Sequence, residues 1–200
     1  MAERGLPFRG DKEKFGSFNN GNFLGLLELL AKFDPFLASH IKEFGNKGSG
    51  VTSYLSKTIC DEFIHIMAHK VRDSILDDLR TAGYFSLSVD STPDWSRIDQ
   101  LTVIVRYVSP NDGLPIERFL TFLEMGNHTG ESMAKMVHNY LINECKIDFS
   151  KCRGQSYDNS ANMSGKYKGM QEIILKINKY AMYIPCAGHS LNLVGRSVSI

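Results

Sequence analysis

The stretch Phe85-Ser86-Leu87-Ser88-Val89-Asp90 places an apolar side chain at every second position and ends on a carboxylate. Successive side chains of a strand point to opposite faces, so this pattern predicts a strand with one buried face. Upstream the period is different. Leu55, Ile59, Phe63, Met67, Val71, Ile75 and Leu79 fall four apart, the apolar stripe of a long amphipathic helix over 53–82, with Gly83 placed to cap it. The change of period at Gly83 divides the chain into an N-terminal helical region, 1–82, and a second region, 83–200.

Working downstream, two more β-like runs, Leu101 to Val108 and Ile116 to Met125, are joined by the turn signal Ser109-Pro-Asn-Asp-Gly113, which predicts three antiparallel strands in succession. Thr129 is placed to cap a helix marked by Met133, Met136, Val137, Tyr140 and Leu141. A short strand at 153–157 follows, then a helix from about 165 to 179 carrying Tyr167, Met170, Ile174 and Ile177 on one face. A brief extended run at 182–184 and an apolar segment close the chain. Three antiparallel strands followed by alternating helix and strand predict an α/β layered fold around a mixed sheet. In the first region, Asn22 to Phe33 suits a short helix ended by Asp34-Pro35, because the residue before proline avoids the helical conformation. A second short helix reaches about Phe44, and 1–22, without any period, reads as a loosely packed lead-in.

Composition excludes several classes. With 42% hydrophobic residues the chain has material for a sizeable core, so disorder is not expected. No run approaches the roughly 18 apolar residues of a membrane span, and the start, Met1 to Lys14, is polar rather than signal-like. No membrane partner is therefore expected. Cys60, Cys145, Cys152 and Cys186 have no framework spacing, which suits free thiols in a reducing compartment. A net charge of +1 provides no global footprint for nucleic acid. Lys151, Arg153, Lys166 and Lys168 remain candidates for a local basic patch or a solvated rim.

Asp90 and Asp158 stand where two strands are expected to end. Carboxylates at neighbouring strand ends can share hard divalent cations such as Mg2+, which serve phosphoryl transfer. Aspartate is also common at such places simply as a turn former, so the pair alone leaves both readings open. His65 and His69 have the separation of a metalloprotease helix, but Ile66 occupies the position of the required Glu, so that reading fails.

Seven separated blocks carry a resemblance: Phe8-Arg-Gly-Asp11, Asn20-Gly-Asn-Phe-Leu24, Phe85-Ser-Leu-Ser-Val-Asp-Ser-Thr-Pro-Asp94, Asp99-Gln-Leu-Thr102, Arg106-Tyr-Val108, Gly154-Gln-Ser-Tyr-Asp-Asn-Ser-Ala-Asn-Met163 and Pro185-Cys-Ala-Gly-His-Ser-Leu-Asn-Leu193. In this order they resemble the hAT-like transposase domain found in MYM-type zinc-finger proteins. The resemblance implies a ribonuclease H-like core and an Asp-Asp-Glu triad holding Mg2+ or Mn2+, with Asp90 matching the first acid and Asp158 the second. Asp94, four residues on and past a proline, is the rival for the first position. The resemblance also implies DNA as partner, the nucleus as location with the cytoplasm as the alternative, and protein partners or a homo-oligomer.

The family places its third acid, a Glu, beyond the Cys-x-x-His segment matched here by Cys186 and His189. This sequence stops at Ile200, so the expectation is a C-terminally truncated core without turnover of its own and with an uncovered apolar surface. Glu131 and Glu172 are substitutes by residue type alone. Cys186 and His189 make half of a four-ligand zinc site, so their expected role is to orient the second acid or to contact DNA. Two functions compete: a transposition-enzyme fragment, and a domesticated non-catalytic module that engages chromatin or protein. An unrelated metal-dependent phosphohydrolase is a remote third.

Overall fold

The computed structural model describes residues 1–48, 50, 53–93 and 98–197. The chain forms two compact units, Met1–Lys70 and Val71–Ile200. In the first, α1 (Gly21–Ala31) and α2 (Pro35–Phe44) precede the start of α3 (Lys57–Ala82). Asp34 separates the first two helices and caps the second, its Oδ1 accepting from Phe36 N at 2.9 Å and Leu37 N at 3.2 Å.

The lead-in is more ordered than its aperiodic sequence suggests. Phe23 N donates to Phe8 O at 2.9 Å and Lys12 N to Asn19 O at 3.0 Å, while Asn22 Nδ2 donates to Pro7 O at 2.7 Å. A Cβ on Gly10 would collide with Asn19 O and Gly21 N, and one on Gly21, at φ +82°, would collide with Gly10 N. Only glycine permits this crossing. Two separate blocks of sequence are thus one interlocked backbone contact.

In the second unit the elements are β1 (Phe85–Pro93), β2 (Asp99–Val108), β3 (Pro115–Glu124), α4 (Gly130–Asn139), β4 (Cys152–Tyr157), α5 (Ala161–Ser164), α6 (Met170–Ile177), β5 (Met182–Pro185) and α7 (Ala187–Ser197). The sheet order is β3-β2-β1-β4-β5. β1–β2 and β2–β3 are antiparallel; β1–β4 and β4–β5 are parallel. The mixed α/β sheet expected from the periodicity is therefore what forms.

One face of the sheet carries the core. Phe85, Leu87 and Val89 of β1 are buried with Leu101, Val103, Val105 and Tyr107 of β2, against Ile75, Leu76 and Leu79 of α3, Met133 and Val137 of α4, and Met170 and Ile174 of α6. By register, the opposite face presents Ser86, Ser88 and Asp90 beside Gly154 and Ser156. Phe122 on β3 and Met182 and Ile184 on β5 are exposed.

Two expectations need correction. β1 does not stop at Asp90; its pairing with β2 runs on to Pro93↔Asp99, and only its pairing with β4 ends earlier, at Ser88↔Ser156. The helix expected over 165–179 is the shorter α6, Met170–Ile177; the residues before it form a tight turn, with Gly169 N bonded to Gly165 O, that leaves Tyr167 exposed. α4 starts as expected. Thr129 Oγ1 accepts from Ser132 N at 3.3 Å, so Thr129→Ala should cost about 1 kcal/mol, read as a lower urea midpoint at constant slope. An unchanged midpoint would show that the cap contributes nothing.

Candidate active site

Parallel pairing of β1 with β4 decides the placement of the two aspartates. Leu87 pairs with Gln155 and Ser88 with Ser156. Asp90 and Asp158 each lie two residues beyond the last of these pairs, at the same end of neighbouring strands, with Asp158 just past the end of β4. Strand neighbours lie roughly 5 Å apart. Register thus puts both residues toward the same end of neighbouring strands.

Each is held locally. Asp90 Oδ1 accepts from Ser91 N at 3.0 Å. Asp158 Oδ1 accepts from Ser160 N at 3.1 Å and Ser160 Oγ at 2.7 Å, an aspartate turn that fixes the carboxylate as the chain leaves β4. Tyr183 on β5 donates its hydroxyl to Asp158 O at 3.3 Å. Hydrophobic periodicity gave no sign of Ser160 or Tyr183; the Asp-Asn-Ser order is the one signal that would have found the first.

Cys186 and His189 join the same end. Cys186 N donates to Tyr157 O at 2.8 Å, which docks the start of α7 beside Asp158. Ser190 Oγ donates to Cys186 O at 2.9 Å and accepts from Asn159 Nδ2 at 3.3 Å. His189 has its pKa raised above 6.5, chiefly by hydrogen bonding with Cys186 and further by attraction to Asp90 and Asp158, against partial desolvation. The Cys186 thiol is lowered from its ordinary value by hydrogen bonds from the His189 backbone and ring.

The donor set fits a hard cation in part. Two carboxylates suit Mg2+ or Mn2+, which keep waters and take substrate phosphate oxygens for the remaining positions. Among the described residues no group of three or more His, Cys, Asp or Glu is placed to hold a metal ion. Glu131 is instead paired with Lys135 at 2.7 Å and Glu172 with Lys176 at 3.6 Å, so neither stands in for a third acid. Asp94 lies outside the described residues. His65 and His69 are exposed on α3. Lys151 and Arg153 gather at the opposite end of β4, where the Arg153 guanidinium lies 4.3 Å from the Tyr84 ring and 5.3 Å from that of Tyr180.

The chain is similar to known proteins. Two curated relatives, each called "52 kDa repressor of the inhibitor of the protein kinase", are 27% identical: the human one over 204 residues, the whole of this chain, and the mouse one over 195 residues, 96% of it. The aligned part is 26% of the human protein and 25% of the mouse protein, so the chain spans about a quarter of the length of these relatives. The family described as "ZMYM1/FAM200, RNase-like domain" matches residues 1–169. The chain belongs to that RNase-like domain family.

Proposed function

We propose that the chain is the two-acid part of a transposase-derived, metal-dependent DNA strand-transfer or nuclease domain, with Asp90 and Asp158 as the ligands of Mg2+ or Mn2+. The observation that supports this reading is the parallel pairing of β1 with β4, whose last pair, Ser88↔Ser156, precedes each aspartate by two residues. A cation bound there would activate the attacking oxygen and neutralise charge on the leaving one. Ser91 and Ser160 hold the carboxylates in orientation, and His189, charged more readily than an ordinary histidine, supplies a donor for a phosphate oxygen.

Among the described residues this end offers two carboxylates for a metal, whereas in-line transfer is served best when both the attacking and the leaving oxygens are stabilised. Each 1.4 kcal/mol of transition-state stabilisation lost lowers the rate about tenfold, so the chain by itself is expected to turn over poorly. A second reading, a domesticated module that engages chromatin or other proteins in the nucleus, draws support from the repressor names of the relatives.

The deciding experiment incubates the chain with Mg2+ or Mn2+ and labelled DNA hairpins or duplexes beside an Asp158→Ala control. No cleavage above the control is expected. Cleavage that the control abolishes would show that two acids suffice. Neither cleavage nor any metal-dependent retention of DNA would favour the module.

A further inference from the structure

The unit Met1–Lys70 contains a cavity of about 270 Å³ that shares no residue with the site just described. Its lining includes the rings of Phe8, Phe15, Phe23 and Phe44 with Leu24 and Leu55; the four rings are only half-buried, so their faces are available to a guest. The size approaches the lower end of small-molecule sites, about 300 Å³, which is room for one flat ring system.

Asn20 reaches this cavity immediately before α1, in the loop that Gly10 and Gly21 lock in place. It is 6% exposed, and among the described residues its Nδ2 has no hydrogen-bond partner. A buried amide donor without an acceptor is costly, so the guest that fits must bring one. Cys60, also lining the cavity, is a neutral thiol whose pKa is raised by burial. The charge lies at the rim. Arg9 is paired with Asp61 and Glu13, whereas Lys14 and Lys47, both exposed, have no carboxylate partner among the described residues. Lys47 Nζ lies 5.8 Å from the centre of the Phe44 ring.

We propose that this cavity binds one nucleotide: the base lies among the phenylalanine rings, an acceptor on its edge takes the Asn20 Nδ2 hydrogen bond, and the phosphate meets Lys14 and Lys47. Bases offer both features that the cavity lacks, an apolar face for stacking and edge acceptors for an amide. A purely apolar peptide side chain or acyl chain would leave Asn20 unmatched and the two lysines idle. The nucleotide is either free or turned out of a nucleic-acid strand; the recognition chemistry is shared.

The test titrates the whole chain, in EDTA so that the carboxylate site is silent, with AMP, GMP, CMP and UMP and with ten-residue dA and dT strands, by calorimetry or saturation-transfer NMR. Saturable binding is expected, at least tenfold weaker in Asn20→Asp, where the amide donor becomes an acceptor, several-fold weaker in Lys14→Ala/Lys47→Ala, and unchanged in Asp158→Asn. Binding of mononucleotides as tight as of strands identifies the free nucleotide; binding of strands alone identifies the extruded base. The proposal is overturned by the absence of saturable binding of either, or by binding that Asn20→Asp leaves intact. If Asn20→Asp fails to fold, the surface pair Lys14→Glu/Lys47→Glu decides, since unchanged affinity there removes the phosphate contact on which the assignment rests. The Asp158→Asn arm separates this outcome from failure of the carboxylate site.

Discussion

Gly130→Ala is expected to destabilise the second unit by about 2–4 kcal/mol, against the roughly 1 kcal/mol that alanine gains over glycine inside an exposed helix. Gly130 is buried at the first position of α4. A Cβ there would lie 2.6 Å from both Asn162 O and Met170 N and would also collide with Lys168 O. All three are backbone atoms, so no rotamer change relieves the clash; either α4 or the segment from α5 to α6 must move. Urea unfolding should show a markedly lower midpoint with an unchanged slope. Gly126→Ala is the control, because a Cβ at that position meets nothing within 4 Å, and it should be nearly neutral. A Gly130→Ala protein as stable as the parent would mean that the close approach of α4 to the Asn162–Met170 backbone is wrong. Since Asn162 follows Asp158 by only four residues, the same variant should also loosen the loop that fixes the second acid.

The parts of the fold that were legible in the sequence are those in which one physical rule acts alone. The period of two over Phe85 to Asp90 marks β1 because one face of it is buried and the other is not. Thr129 was readable because a cap uses local hydrogen bonds; Asp34 was read only as part of the stop after α1, whereas it also caps α2. The helix expected from 165 failed where apolar spacing continued across Gly165 and Gly169: Tyr167 fits the stripe by position, but it lies in the turn and faces solvent. Long-range polar pairing was also illegible. Asn178 is buried and donates through Nδ2 to Phe149 O and Cys152 O, each at 2.8 Å, while Gln155, 1% exposed, donates to Ala181 O and accepts from the Tyr157 hydroxyl. Nothing within a few residues of either position announces these partners. The candidate site lies between the two cases. Asp90 and Asp158 were visible as acids near expected strand ends, yet their placement toward one end of the sheet depends on β4 lying parallel beside β1, which the crossover through α4 makes feasible but local pattern does not specify.

Asp90→Asn and Asp158→Asn should each weaken Mn2+ binding at least tenfold, and the double variant should show no saturable binding. At an effective dielectric near 20, opposite unit charges about 4 Å apart attract by about 4 kcal/mol, and a divalent ion doubles the attraction. Solvent at this half-exposed end removes most of that, but a residue of about 1.4 kcal/mol per carboxylate already gives a factor of ten. Asparagine keeps the shape and the hydrogen-bonding oxygen, so the loss reports charge rather than folding. Glu131→Gln and Glu172→Gln, whose parent carboxylates are committed to Lys135 and Lys176, should bind like the parent chain. The pH dependence has a definite sign. His189 has a raised pKa because Cys186, Asp90 and Asp158 favour its charged form; below that pKa the imidazolium competes with the cation for the same two carboxylates. Apparent Mn2+ affinity should therefore rise as pH increases through a value above 6.5, and His189→Gln should flatten that rise while retaining binding. Electron paramagnetic resonance of free Mn2+ across pH measures both quantities. Equal affinity in the parent chain and in both aspartate variants would place the ion elsewhere, and the register of β1 with β4 would then carry no metal chemistry.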